Sequence, residues 1–331
     1  MELQTEGLSP GRLPEAVWKR SVLKQIRHRR EELVSMRSGC CYGRLLTADS
    51  GEYSLLSAQI EERTGLLPAL RQVLAAACEP IGITATLLLP EGTPEPTLRG
   101  KVAALEQECA GYGLDLMQIE PYVLSTVQEM LLQVTVIGRS CCPSAVPDGQ
   151  RPDNGGRSLQ PSAWAGESIV MTGWAGLEGT QRLIEERQEA AMARFPLHFC
   201  RKIEQYEIKR LPRMEQKLAL EYGATAMYAA GESGILDALW QLGESVGKGM
   251  EIFLYQIPIR QETIELTDFL EQNPYQIASG GAFLIVTGQG EALVKKLRQE
   301  GIPAALIGTI EEGRDRIVRF GEERRYLEPY R

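Results

Sequence analysis

One stretch of this chain limits every fold it can adopt. Between Cys141 and Gly166 stand Pro143, Pro147, Pro152 and Pro161, with the turn formers Asp148-Gly149 and Asn154-Gly155-Gly156, and almost no apolar periodicity. Proline has no N–H to donate and fixes its own φ, so neither a helix nor a central strand runs through such a segment. The composition predicts a linker over 141–166, with a first domain over 1–140 and a second over 167–331. A length of 331 residues agrees with two cores at roughly 150 residues per domain.

On both sides of the break the apolar pattern switches between helical and strand periods. In the first half it predicts a basic-faced helix over Leu13–Val34, an amphipathic helix over Gly65–Ala77, and a strand over Gly82–Leu89. A turn through Gly92–Pro96, a helix over Leu98–Tyr112 and strands over Leu114–Ile119 and Met130–Ile137 follow. In the second half it predicts a strand over Glu167–Thr172, then helices over Gln181–Phe195, His198–Lys209, Pro212–Tyr222 and Gly234–Val246. Strands over Ala224–Met227 and Met250–Tyr255 accompany them. The last part reads as helix Thr263–Glu271, strand Ala282–Val286, helix Glu291–Glu300, strand Ala304–Ile310 and a final strand Arg316–Phe320. The fold class is mixed α/β (α+β) in two domains.

Charge narrows the partners. The net charge is −8, and each side of residue 150 carries −4, so neither half is a basic nucleic-acid module. The longest apolar stretches, Ile83–Leu89 and Phe283–Val286, are far shorter than the ~20 residues that cross a bilayer. No membrane partner is expected, and an N-terminus that opens Met1-Glu2-Leu3-Gln4 shows no secretory signal, so the expected address is cytoplasmic. Seven cysteines include the adjacent pairs Cys40-Cys41 and Cys141-Cys142 but no C-x-x-C, and His28 and His198 are the only histidines. That is a poor metal set, and reduced thiols are expected.

Three glycine segments hold the chemistry that spacing can suggest. Gly173, Gly176 and Gly179, followed by Thr180, sit between a strand and a helix, where backbone N–H groups and the helix dipole would face an anion. The G-x-x-G-x-x-G spacing matches neither a P-loop nor a dinucleotide fingerprint, and a tight turn explains it equally well. Gly231-Glu232-Ser233-Gly234 precedes an apolar helix and is explained by capping. Ser279-Gly280-Gly281 reads as a turn. No close aspartate pair marks a magnesium site, and neither histidine has a neighbouring nucleophile or carboxylate in sequence.

Longer phrases carry a family likeness. Ile169–Thr180, Gly234-Ile235-Leu236-Asp237-Ala238-Leu239-Trp240, Ile257–Thr263 and Asn273-Pro274-Tyr275-Gln276 resemble the AIR synthase-related, PurM-like proteins, which include aminoimidazole ribonucleotide synthase and the hydrogenase maturation factors. Gly321–Pro329 is similar to the hydrogenase maturation factor-like branch, and Glu79-Pro80-Ile81-Gly82 resembles the family's N-terminal domain. The resemblance implies a two-domain PurM-like architecture, ATP bound with magnesium through acidic residues of the N-terminal domain, and a homodimer formed through N-terminal strands.

The chain departs from that pattern where the acids belong. A Gly-Asp-Asp-like motif aligns with Tyr42-Gly43-Arg44, an Asn-Asp position with Arg71-Gln72, and a Thr-Asp strand end with Ser57-Ala58. Glu120 survives in Gln118-Ile119-Glu120-Pro121, while the His-Asp-x-Thr-Glu-Gly-Gly phrase reads Tyr228–Gly234 and retains Glu232 and Gly234. Magnesium needs oxygen ligands, so these changes remove its seat. The last cysteine is Cys200, so the C-terminal carrier thiol implied for cyano-ligand synthesis is not expected. The expectation is a degenerate, inactive member acting in binding or assembly, with a protein partner in enzyme maturation. The alternative is an ATP-dependent maturation enzyme or ligase that uses Glu120 and Glu232 for metal and Arg44 or Arg71 for phosphate. A third reading is a small-anion sensor at Gly173–Gly179.

Overall fold

The computed structural model describes residues 17, 33–34, 43–46, 52–61, 64–141 and 163–329. Most of the expected helix over Leu13–Val34, with His28 in it, lies outside the described residues, as do Cys40, Cys41, Cys142 and most of the expected linker. The end of that helix is corrected: Leu33–Val34 form strand β1, because they pair in register with Leu45 and Arg44.

The first domain is a six-stranded sheet in the order β1-β2-β3-β6-β4-β5. Its strands are β2 (Gly43–Leu46), β3 (Glu52–Ile60), β4 (Cys78–Leu89), β5 (Asp115–Val123) and β6 (Leu131–Ser140). β4 and β5 are parallel, which requires a crossover, and helix α2 (Glu95–Tyr112) supplies it. β4 starts before the expected Gly82 because its pairing with β6 extends back to Cys78, across a register shift between Pro80 and Gly82. A strand proline cannot donate to the ladder, and the shift absorbs it.

Helix α1 (Leu67–Ala75) lies on one face of this sheet, where Leu70 and Val73 join Leu56, Ile83, Val134 and Val136 in a buried cluster. A Cβ at Gly138 would stand 2.4 Å from Val73 Cγ1, so glycine there is what lets α1 settle on β6. The opposite face has a different character. Leu55 and Leu131 are exposed on it, and Ser57 and Thr135 share a 2.7 Å hydrogen bond.

The second domain is a seven-stranded sheet ordered β13-β12-β9-β11-β7-β10-β8. The strands are β7 (Ser168–Thr172), β8 (Ala226–Ala229), β9 (Gly249–Phe253), β10 (Phe283–Thr287), β11 (Ala304–Glu311), β12 (Arg316–Phe320) and β13 (Glu323–Tyr326). Both faces are covered, so the central strands read as unbroken apolar runs. Ile169, Met171, Leu284 and Val286 point to the side of helix α7 (Gly234–Val246), with Ile235, Leu239 and Leu242. Val170, Phe283 and Ile285 point to the side of α6 (Arg213–Glu221) and α9 (Gly290–Gln299). Ala75 and Ala77 of the first domain belong to this second cluster. α1 is therefore shared by two cores.

A third layer holds α3 (Leu177–Glu186), α4 (Gln188–Arg194), α5 (Leu197–Glu204) and α8 (Gln261–Phe269). The single helix expected over Gln181–Phe195 is corrected to two, which separate at Arg187. The break leaves Phe195 stacked on Phe199 with centroids 4.4 Å apart and edge-on to Phe269 at 5.6 Å. β12 is not the final strand, since Phe320 pairs with Glu323 in the hairpin to β13. Among the described residues no helix is long and apolar enough to cross a membrane.

Candidate functional site at the domain junction

The junction is built from α1 outward. Leu70 and Val73 face the first sheet, which leaves Arg71 and Gln72 turned to the second domain. Gln72 Nε2 donates to the carbonyl of Ala229 at 2.7 Å, and Gln216 Nε2 of α6 donates to the carbonyls of Leu74 and Cys78, both at 3.0 Å. Arg71 is only 3% exposed. Its guanidinium donates to the carbonyls of Ile208 and Arg210. The segment leading into those carbonyls is itself tied to α3, where Gln181 Nε2 donates to the carbonyls of Ile203 at 3.0 Å and Tyr206 at 2.9 Å. Burial lowers the Arg71 pKa, with the charge of Glu178 opposing that shift.

From Arg71 a chain of alternating charge crosses the junction. Glu178, in the first turn of α3 and 7% exposed, contributes coulombically to Arg71 and is ion-paired with Arg182 one turn later. The Arg182 guanidinium is also a two-pronged donor to Glu232, with Nη1 to Oε2 and Nη2 to Oε1. Burial works against the Arg182 charge, but the hydrogen bonds it donates to Glu232 and the charge of Glu178 outweigh it and raise its pKa. Arg71, Glu178, Arg182 and Glu232 thus form a neutral series of two cations and two anions. It passes over Gly280, where a Cβ would come 2.8 Å from Arg71 Nη1 and would overlap a Glu178 carboxylate oxygen.

The glycines frame this series by close approach. The segment Pro274–Gly281 lies against the starts of both α3 and α7. A Cβ at Gly176 would stand 2.8 Å from the Pro274 carbonyl, and one at Gly234 would stand 2.5 Å from the Tyr275 carbonyl; both residues have φ in the left-handed region, at 69° and 79°. Gly173 meets the Gly281 carbonyl at 2.8 Å and Gly179 meets Ile277 at 2.7 Å in the same sense. Their N–H groups are used within the domain: Gly173 donates to Pro303, Gly176 to Ser279 Oγ and Gly179 to Ala278. Thr180 Oγ1 donates to the Gly176 carbonyl at 2.7 Å and shares a 2.8 Å bond with Thr263. At α7 the Tyr275 carbonyl accepts from Ile235 and Leu236.

Next to the glycine loop the Arg260 guanidinium lies between the rings of Trp174, at 4.6 Å, and Tyr206, at 4.9 Å. Tyr206 donates to Glu262 at 2.9 Å, and Lys202 pairs with the same carboxylate. Burial, then the Glu262 acceptor, pushes the Tyr206 hydroxyl pKa up. For Glu262 itself burial acts upward, but the bonds from Lys202, its own N–H and Tyr206 hold it below the ordinary carboxylate range.

Of the residues singled out in the sequence, Arg71, Glu232, Gly173, Gly176, Gly179, Thr180 and Gly234 come together here. Glu120 does not join them: it is exposed on edge strand β5, where Gln118 donates to it at 3.2 Å, and the neighbours of β5 are β4 and α2. Arg44 is described only as a β2 position paired with Ser54. Glu178 and Arg182 are not among the site residues expected from the sequence, and Gly280 is expected there only as part of a turn. The spacing of Glu178 and Arg182, four apart at a helix start, is a signal that would have found the first two.

The sequence pattern of the AIR synthase related protein C-terminal domain matches residues 165–320. This span is similar to that family over just under half of the chain. The domain carries Glu178, Arg182, Glu232 and the loop at Gly280, while Arg71 comes from the domain before it. The carbamoyl dehydratase HypE of Rhodobacter capsulatus is 22% identical over 252 residues, which is 72% of this chain and 66% of that protein. Among solved structures, a HypE–HypF complex matches with a TM-score of 0.68 at 12% identity, covering 95% of this chain and 99% of that one. The hydrogenase maturation protein HypE in complex with ATP matches with a TM-score of 0.65 at 15% identity, covering 98% and 96%. The chain shares its fold with these HypE structures, and residues 165–320 are similar to the AIR synthase related C-terminal domain.

Proposed function

We propose that this protein is a hydrogenase maturation factor-like member of the group that acts by binding and assembly and does not turn over magnesium-ATP. The observation that carries this reading is Arg182, held by Glu178 on one side and Glu232 on the other. Magnesium takes near-octahedral oxygen ligands at 2.0–2.1 Å. The Arg182 guanidinium pairs with both of these carboxylates, so neither is left open as a ligand for such an ion. Among the described residues no three His, Cys, Asp or Glu side chains gather as a metal set. The paired residues of the junction do not fit a magnesium triphosphate. Calorimetric titration with Mg-ATP is the test: the expected result is no saturable heat below about 1 mM. Micromolar binding with magnesium-dependent hydrolysis refutes the reading.

The assembly is a homodimer that engages a maturation partner protein. The face of the first sheet opposite α1 supports the dimer, since Leu55, Tyr122 and Leu131 are exposed there and no helix of the described residues lies over them, and an exposed apolar face of that kind is ordinarily paired. Light scattering at micromolar concentration is expected to give twice the chain mass of 36.7 kDa. A monomer overturns it.

A further inference from the structure

The layer formed by α6 and α9 ends at β11. Its buried cluster takes in Ala304 of β11, and neither it nor the cluster of the third layer holds a residue of β9, β12 or β13. The side of those three strands turned away from α7 is therefore open among the described residues. Pairing register decides which side chains stand on it: Ile317 lies between Glu251 and Tyr326, and Arg319 lies between Phe253 and Arg324. Tyr326 is 71% exposed, and the Arg319 and Arg324 side chains are 38% and 59% exposed.

This face is short of hydrogen-bond acceptors. Arg319 Nη1 and Arg324 Nη2 stand 3.5 and 3.7 Å from the same Glu251 oxygen, distances at which attraction persists but a good hydrogen bond does not form. Arg319 Nε is buried with no acceptor, and its guanidinium lies 5.9 Å from the centre of the Phe253 ring. A guanidinium only donates, so two of them sharing one distant carboxylate call for further acceptors. The neighbouring acids do not supply them. Glu251 is the one ion-pair partner of both arginines among the described residues. Glu323 is taken by Arg325 at 2.9 Å on the opposite face of the hairpin, while Glu311 and Asp315 stand at the far end of β9, beside Gly249.

β13 ends the sheet, and no strand of the described residues pairs with its outer edge. A second copy of β13 is a poor occupant, because antiparallel pairing centred on Arg324 and Arg325 sets arginine against arginine. We propose that an extended acidic segment of a partner protein adds to the sheet as a strand beside β13, with a carboxylate at Arg324 and Arg319 and, two residues along, an apolar side chain against Tyr326. Backbone pairing supplies the affinity in such an arrangement, and alternate side chains supply the selectivity. The surface is separate from the junction series and from the first sheet, and its loss would leave both of those readings unchanged.

The test uses the full chain and a short capped peptide that alternates glutamate and valine along one face with threonine between them; a counterpart carries lysine for glutamate. By fluorescence anisotropy the acidic peptide is expected to bind at least about tenfold more tightly than the basic one. Arg324→Gln is expected to weaken it at least about fivefold, and Arg325→Gln, on the opposite face, less than about twofold, with thermal melting as in the parent. Both arginines lie on an exposed edge strand, so neither change disturbs the core. Hydrogen exchange read by mass spectrometry is expected to slow over Glu323–Tyr326 when the acidic peptide is bound, which a ligand held by charge alone would not do. Equal affinity for the two peptides, no saturation by the acidic one up to about 1 mM, equal effects of Arg324→Gln and Arg325→Gln, or unchanged exchange over β13 overturns the proposal. Tighter binding of a thymidine oligonucleotide than of the acidic peptide also overturns it, in favour of nucleic acid.

Discussion

The series at the junction predicts that its members are unequal in a definite order. Glu178 is buried beside two guanidiniums, so Glu178→Gln leaves Arg71 and Arg182 as like charges in a region with little water. Breaking a buried pair by removing one partner costs about 3–5 kcal/mol. Arg182→Met strands Glu178, but Arg71 remains near it. The Glu232 side chain is 46% exposed and recovers hydration, so the cost is nearer about 3 kcal/mol. Glu232→Gln removes only the outer pair and costs at most about 1 kcal/mol. At roughly 2–4 °C per kcal/mol for domains of this size, melting falls by about 6–12 °C for Arg182→Met and by about 2–4 °C for Glu232→Gln. Differential scanning calorimetry of the three single variants, with the Glu178→Gln/Arg182→Met double variant to measure coupling, decides the matter. Equal losses for Glu178→Gln and Glu232→Gln, or a loss under about 1 kcal/mol for Arg182→Met, would show that the charges are independently solvated and that the junction is not held as argued.

Four other outcomes follow. Gly280→Ala pushes a methyl into the Glu178 carboxylate and is expected to cost about 1–3 kcal/mol, measurable by urea unfolding. Glu262 has its pKa depressed in the fold, so it contributes stability above its unfolded value near 4.3 and loses it as pH falls through the lower folded value; the parent's advantage over Glu262→Gln in urea should shrink on going from pH 7 to about pH 3. Burial, then Glu108, pushes the Cys109 thiol up to about 11, so iodoacetamide at pH 8 should label exposed Cys141 long before Cys109, as read by peptide mass spectrometry. Leu131→Arg, on the face of the first sheet opposite α1, should convert the proposed dimer to monomer in light scattering without lowering the melting temperature of the chain.

What could be read from the sequence had local causes. α1, α7 and β10 carry their full apolar signal within their own residues, and their predicted positions agree with the structure to within a few residues. β3 was missed because Tyr53–Ile60 alternates Ser, Ala and Gln with only a few aliphatics, a pattern that becomes a strand when β6 pairs with all of it. α3 begins at Leu177, inside what reads as a glycine loop, because the left-handed Gly176 starts the helix early. The ion-pair series was hidden for a different reason. Arg71, Glu178, Glu232 and Gly280 are far apart in the chain, and only the packing of α1 on the second domain makes them neighbours.

That packing also restricts how this protein could be divided. Ala75 and Ala77 complete the hydrophobic layer over Val170, Phe283 and Ile285, and Gln216 satisfies carbonyls that end α1 and begin β4. A fragment beginning near residue 163 would keep α6 and α9 on that sheet but would open the part of the layer filled by Ala75 and Ala77 and leave the Gln216 amide without its carbonyl acceptors. The recognisable domain is thus only part of the unit that folds, and swapping it as a module into another protein would require bringing along a helix from its neighbour.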